Sequence, residues 1–203
     1  ALEENTTGTA NVAVGSLNLD ANTTGDSNTA IGHLAMTSNT TADDNTAVGR
    51  SALTTNSTGA SNTAIGKFAL LENTTGSNNV AVGAQALDAN TTASDNTAVG
   101  YRALTSNTTG TSNVAIGQGV LESNTTADNN TAVGYRALLE NTASNNTAVG
   151  YHALEENTTG TSNTAVGVNA LDDCTTGQLN VAVGRNALTA LTTGEKNVSV
   201  GYN

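Results

Sequence analysis

Residues 96–112 read Asn-Thr-Ala-Val-Gly-Tyr-Arg-Ala-Leu-Thr-Ser-Asn-Thr-Thr-Gly-Thr-Ser, and variants of this unit fill the chain of 203 residues. The glycine after Val or Ile returns every 17 residues, with one interval of 16. It falls at Gly15, Gly32, Gly49, Gly66, Gly83, Gly100, Gly117, Gly134, Gly150, Gly167, Gly184 and Gly201. The missing residue lies in the turn 141–143. Low hydrophobicity alone would suit disorder, but a fixed step predicts stacked structural units.

Each unit is better suited to a strand and turns than to helices. A β-branched residue precedes the glycine, whereas Asn-Thr-Thr-Gly is poor helix material and good turn material. Two columns recur with the step, one of Val or Ile (Val48 and Ile65, for example) and one of Leu or Met (Leu53 and Leu70). We therefore predict an all-β, single-domain parallel β-solenoid of about twelve coils. It covers residues 1–203 as one continuous repeat domain, an excerpt of a longer fibrous protein.

The strand has two faces, because successive side chains point to opposite sides. Thr or Val and the following Val or Ile share one face, and Ala takes the other. We expect the small Ala face to let neighbouring chains approach closely. Each coil buries too little apolar surface to offset the ordering of its residues, so association of several chains is expected. The repeat glycine is expected to have positive φ, and the asparagines to form an inward-facing ladder.

Composition excludes several classes of function. A net charge of −11 argues against a nucleic-acid partner, which requires clustered Lys and Arg. No apolar run approaches the roughly 20 residues of a membrane helix, so no membrane insertion is expected within this segment. The only cysteine, Cys174, occupies a position where other coils have Asn. It is interpreted as a tolerated turn substitution, with a reactive thiol as the alternative.

The motif resembles a known repeat. Residues 129–137, Asn-Asn-Thr-Ala-Val-Gly-Tyr-Arg-Ala, are similar to the nonapeptide Asn-Ser-Val-Ala-Ile-Gly-x-x-Ser of the YadA-like head of trimeric autotransporter adhesins. The segments 11–15 and 113–117 match its core more closely still. The resemblance implies a left-handed β-roll, a side-by-side homotrimer and display at a cell surface, where it binds host matrix or other cells. The period here is longer, and related repeats also resemble those of phage tail fibres.

Basic and aromatic residues concentrate in the two positions after the repeat glycine, whereas acidic residues follow the Leu column. Stacking turns these positions into an edge that we predict binds a ligand, since Tyr and Arg are common anchors of recognition. The predicted edge consists of Arg50, Lys67, Tyr101, Arg102, Tyr135, Arg136, Tyr151, His152 and Arg185. The alternative is that these side chains pack against an adjacent chain or cover the Leu corner.

These features predict a non-enzymatic structural and adhesive module of an extracellular or virion fibre, whose partners are itself and a matrix or cell-surface ligand. Neither end carries an evident polar cap, so end-to-end stacking or flanking domains are expected. The alternatives are ice binding through the Thr-Thr ladder and a purely structural spacer.

No cofactor or metal is expected, since Asp43-Asp44-Asn45 and Asp95-Asn96 lack a calcium-binding glycine-rich nonapeptide. His33 and His152 each lack a suitably spaced Ser, Cys or metal-ligating partner. The recurrent Asn-x-Ser/Thr sequons are interpreted as turn formers rather than glycosylation sites.

Overall fold

The computed structural model describes residues 1–202, in which the regular structure is a series of three-residue strands. Each consists of Val or Thr, then Ala or Ser, then Val or Ile. In chain order they are β1 (Val12–Val14), β2 (Thr29–Ile31), β3 (Thr46–Val48), β4 (Thr63–Ile65), β5 (Val80–Val82), β6 (Thr97–Val99), β7 (Val114–Ile116), β8 (Thr131–Val133), β9 (Thr147–Val149), β10 (Thr164–Val166), β11 (Val181–Val183) and β12 (Val198–Val200).

The strands form one parallel sheet in sequence order, so the prediction of a β-solenoid is confirmed. Equivalent residues of adjacent coils are partners: Val48 lies beside Ile65. The short interval is absorbed between β8 and β9, where Thr131 still pairs with Thr147. The deletion therefore leaves the strand register intact. Residues 1–202 contain no helix that is long and apolar enough to cross a membrane.

The core lies on the Ala side of the strands, which corrects one expectation. Ala47 and Ala64 are fully buried, and the second Ala column and the Leu or Met column are buried with them. The flanking residues point outward, so Ile31 and Ile65 remain 38% and 40% exposed. The Ala face is therefore the interior of the coil and cannot be the surface where neighbouring chains meet. The exposed face of the sheet carries Thr, Val and Ile instead.

Two ladders of buried asparagines complete the interior, as predicted. In the turn ladder, Asn73 Nδ2 donates to Asn56 Oδ1 at 2.9 Å and to the Gly76 carbonyl at 3.0 Å. In the ladder that precedes the strands, Asn79 accepts at Oδ1 from the Asn96 backbone N–H at 3.1 Å. Each side chain thus satisfies backbone groups that the coil corners leave unpaired, and links one coil to the next.

Positive φ angles turn the chain at the coil corners. Gly100 has φ +139°, and a Cβ there would lie 2.3 Å from the Gly117 carbonyl oxygen in the next coil. The repeat glycine is therefore required both by its backbone conformation and by close approach of the stacked coils. Non-glycine residues also adopt left-handed conformations: in one coil Ser51, Leu53 and Ser61 have φ of 55°, 52° and 59°.

Candidate functional site

The predicted edge exists as an exposed strip, but its members form three separate groups. At one end, Arg50 Cζ lies 5.9 Å and Lys67 Nζ 4.6 Å from the centroid of the Phe68 ring. At the other end, Arg185 lies 6.0 Å from the Tyr202 ring. The remaining predicted residues all lie in the middle of the solenoid. The edge is thus not one continuous site.

The central group is held together by stacked rings and ion pairs. Tyr135 and Tyr151 stack with centroids 5.3 Å apart, and Tyr151 stacks on His152 at 3.9 Å. Arg136 Nη2 donates to Glu155 Oε1 at 2.8 Å. Acidic residues after the Leu column therefore lie against the basic edge and hold its side chains in place.

A groove of about 370 Å³ opens in this central group, at the coil that carries β7. Tyr101 and Tyr135 line it together with the Arg102–Glu122 ion pair, in which Nη2 and Oε1 lie 2.8 Å apart. Tyr101 is 50% exposed, so a broad part of its surface is available to a ligand.

The groove exists because one side chain is missing. The second position after the repeat glycine holds a side chain in the neighbouring coils, Arg102 and Arg136, but in the β7 coil it is Gly119. A Cβ at Gly119 would meet Glu122 Oε2 at 3.3 Å and Arg136 Cγ at 3.6 Å. Gly119 was not among the residues that the sequence predicted to form the site. The signal was present as a single glycine in an otherwise side-chain-bearing position.

A second cluster gives His152 two carboxylate neighbours that its spacing in the sequence did not indicate. One ring nitrogen of His152 and one carboxylate oxygen each of Glu155 and Asp172 lie within 4.8 Å of one another. His152 Nδ1 contacts Glu155 Oε2 directly. Burial raises the pKa of Asp172, and the negative charge of Glu155 raises it further. His152 and Glu155 lie three residues apart in one coil, whereas Asp172 belongs to the next coil, so its proximity to His152 could not be read from local spacing.

The turn residues divide into buried and exposed columns. Thr74 is half-buried and its Oγ1 donates to the Thr91 carbonyl at 2.9 Å, whereas Thr75 is exposed. In other pairs, such as Thr125 and Thr126, both threonines are exposed. The sequon asparagines Asn39 and Asn90 are fully buried, and their Nδ2 atoms donate within the turn ladder. The amide nitrogen that would carry a glycan is therefore occupied, in agreement with the turn-former interpretation.

Cys174 replaces an asparagine of the turn ladder. Its thiol is fully buried, with Sγ 3.8 Å from the Gly177 carbonyl, and burial raises its pKa. A buried thiol held in its protonated form is a poor nucleophile, which favours the turn-substitution interpretation over a reactive thiol.

The fold defines the class of protein: a β-solenoid repeat protein with coils of about 17 residues. Comparison with known proteins yields no match among protein-family models, curated proteins or solved structures.

Proposed function

We propose that the chain is a structural and adhesive module of an extracellular or virion-surface fibre, and that the groove at Gly119 is its ligand-binding site. The supporting observation is the groove itself, which combines exposed Tyr101 and Tyr135 with fixed polar groups of both charges on a rigid, uninterrupted scaffold. Ligand sites pair apolar or aromatic surface with a few precisely placed polar groups.

The lining suits a saccharide of a cell surface or extracellular matrix. Aromatic faces pack against the C–H face of a sugar ring, while Arg102, Gln118 and Glu140 offer donors and acceptors for its hydroxyl groups. The ion pair between Arg102 and Glu122 holds both side chains before the ligand arrives, which lowers the entropic cost of binding.

We further propose that three chains associate side by side through the outer face of the sheet, with left-handed coils as the resemblance to YadA-like heads implies. The outer face leaves Val80, Ile116 and Val149 between 36% and 39% exposed. Burying aligned β-branched side chains contributes roughly 25 cal/mol per Å² of apolar area, so a long interface is favourable even though each coil adds little. Static light scattering of the purified chain tests this proposal: a trimer mass supports it and a stable monomer overturns it.

Ligand binding is tested by filling the groove. Gly119→Asn places at this position a residue that Asn169 and Asn186 already carry in the same backbone conformation, so the coil is expected to fold normally. Binding to a glycan array and to matrix-coated surfaces should fall at least tenfold in Gly119→Asn and in Tyr135→Ala. Arg185→Ala, on the same edge but outside the groove, is the matched control. If the groove variants bind as the parent chain does, the groove is not the site; if the parent binds no surface, the spacer function stands.

Ice binding is a second candidate, favoured by the exposed threonine column. Thr41, Thr75 and Thr109 are exposed at equivalent positions of the stacked coils, so their hydroxyl groups form a regular array along the axis. A thermal-hysteresis measurement decides this function: freezing-point depression that Thr75→Ala and Thr109→Ala reduce would support it, and its absence in the parent chain would eliminate it.

A further inference from the structure

A column rule explains how the His152 cluster forms. In each case the residue that directly follows Leu in one coil contacts the residue two positions after the repeat glycine in the preceding coil. Thr54 Oγ1, for example, donates to the Leu34 carbonyl at 2.9 Å. The same geometry pairs Arg102 with Glu122. By this rule Asp172 faces His152, and the fixed repeat geometry, rather than a flexible loop, brings the two together.

Glu155 joins the pair from the same coil as His152. Glu155 is only 8% exposed. Its Oε1 accepts a hydrogen bond from Arg136, and its Oε2 faces the His152 imidazole. His152 Nε2 is buried and has no hydrogen-bond partner among the described residues. Two carboxylates therefore lie beside a buried ring nitrogen that has no hydrogen-bond partner, an arrangement that a bound cation would stabilise.

We propose that His152, Glu155 and Asp172 bind a divalent transition-metal ion of the Zn²⁺ class. One imidazole nitrogen with two carboxylates suits such ions, whereas Ca²⁺ and Mg²⁺ prefer sites made of oxygen ligands alone. Ligands around tetrahedral Zn²⁺ at about 2.0–2.1 Å from the metal lie about 3.3 Å apart. The three side chains, within 4.8 Å of one another, need to close by no more than roughly 1.5 Å.

The surroundings fit the role of supporting a metal. Tyr151 stacks on the imidazole and fixes the plane of the ring, and Arg136 orients the Glu155 carboxylate from outside the site. Glu156 and Asp173 add negative charge close by, and both act on Asp172 to raise its pKa. A bound cation would link the β9 coil to the β10 coil, next to the turn in which the repeat loses a residue.

The test is titration of the full chain with ZnCl₂, followed by isothermal calorimetry and by competition with a chromophoric chelator. We expect one saturable site per chain, and at least tenfold weaker binding in His152→Asn and Asp172→Asn, since loss of even an outer-shell partner weakens metal sites 10–100-fold. His33→Asn and Asp88→Asn are matched controls, one in the other histidine and one in a carboxylate of the same column as Asp172.

Substituting Co²⁺ gives a second readout, because a site with a nitrogen ligand changes the visible absorption of the ion and His152→Asn should abolish that change. Excess Ca²⁺ should not displace either metal. The proposal is overturned if the parent chain shows no saturable binding, if His152→Asn and Asp172→Asn bind as the parent does, or if the control variants lose binding equally. Circular dichroism of each variant confirms that the solenoid has formed before binding is compared.

Discussion

Replacing Asn73 by alanine should destabilise the solenoid strongly, although the side chain is small and polar. Asn73 is fully buried in the turn ladder. Its Nδ2 donates to Asn56 Oδ1 at 2.9 Å and to the Gly76 carbonyl at 3.0 Å, and its Oδ1 accepts from Asn90 Nδ2 at 2.8 Å. Alanine removes all of these bonds at once and leaves a gap between two coils.

The magnitude follows from what each partner retains. The Gly76 carbonyl still accepts from Asn62 Nδ2 at 2.8 Å, and Asn90 Nδ2 still donates to the Ala93 carbonyl at 3.0 Å. Asn56 Oδ1 keeps no donor among residues 1–202. An orphaned buried acceptor costs about 1–3 kcal/mol, and each of the other two lost bonds about 0.5–1.5 kcal/mol. Asn73→Ala should therefore lower the free energy of unfolding by roughly 2–6 kcal/mol.

Urea denaturation measures the total effect, and hydrogen exchange shows where it falls. Stacked coils couple mainly to their neighbours, so protection should drop around Asn56, Asn73 and Asn90 and remain elsewhere. Thr75→Ala, in the same turn but exposed, is the control and should change stability by less than about 0.5 kcal/mol. If Asn73→Ala is no less stable than Thr75→Ala, the ladder does not stabilise the fold.

Asn73→Asp preserves the shape of the side chain but replaces the amide donor Nδ2 with a titratable carboxyl oxygen. It therefore tests hydrogen bonding separately from packing. Burial should raise the pKa of the new carboxyl in the folded state above its unfolded value of about 3.9. The variant is then least destabilised below that value, where the protonated carboxyl can donate, and loses stability as the pH rises through the folded-state pKa. Stability independent of pH would contradict the assigned role.

Three further predictions concern the glycine column, the short turn and a buried carboxyl. Gly100→Ala should destabilise the fold far more than Gly201→Ala. Both glycines have φ near +140°, but only at Gly100 would a Cβ clash with the backbone of the next coil. Thermal unfolding of the two variants compares them, and an equal loss of stability would refute the packing argument. Insertion of a threonine after Thr142 restores the 17-residue repeat. The Asn141 side chain should then donate to Asn124 Oδ1, which has no partner among the described residues, and the urea midpoint of unfolding should rise. Burial, and secondarily a neighbouring carboxylate, raises the pKa of Asp88, so its ionisation removes stability as the pH rises. Asp88→Asn should therefore stabilise the fold at neutral pH but not below the ordinary carboxyl pKa of 3.8, and an equal effect at both would be inconsistent with this cause.

The stacking of the coils could be predicted from sequence because it depends only on the step. Residues one step apart must be neighbours in a solenoid, so the pairing of Val48 with Ile65 and the linking of successive asparagines followed directly. No knowledge of the cross-section of the coil was needed for these predictions.

Which face of each strand points into the core could not be predicted, because both faces carry apolar residues. Val and Ile are more hydrophobic than Ala, so hydrophobicity alone would place them inside the coil. A coil of 17 residues already encloses the Leu column and two asparagine columns, and this leaves room only for alanine at the centre of each strand. The inside is therefore selected by volume rather than by hydrophobicity, and Ala47 is buried while Val48 is not.

The His152 cluster and the groove at Gly119 were missed for a related reason: both depend on the corners. The left-handed conformations of residues such as Ser51 and Leu53 decide which column faces which across adjacent coils. Sequence alone gives the columns but not the offset between them, and it is this offset of about one step and three residues that brings Asp172 to His152 and Glu122 to Arg102.

Once the corner geometry is known, a departure from the repeat becomes informative. A uniform column produces a uniform ridge, which offers the same weak contact in every coil. One glycine in such a column opens a groove, and one histidine facing a carboxylate column creates a cluster of ligating atoms. Specific chemistry in this fold should therefore lie where a column changes residue type, and the coils carrying β6 to β10 contain both changes.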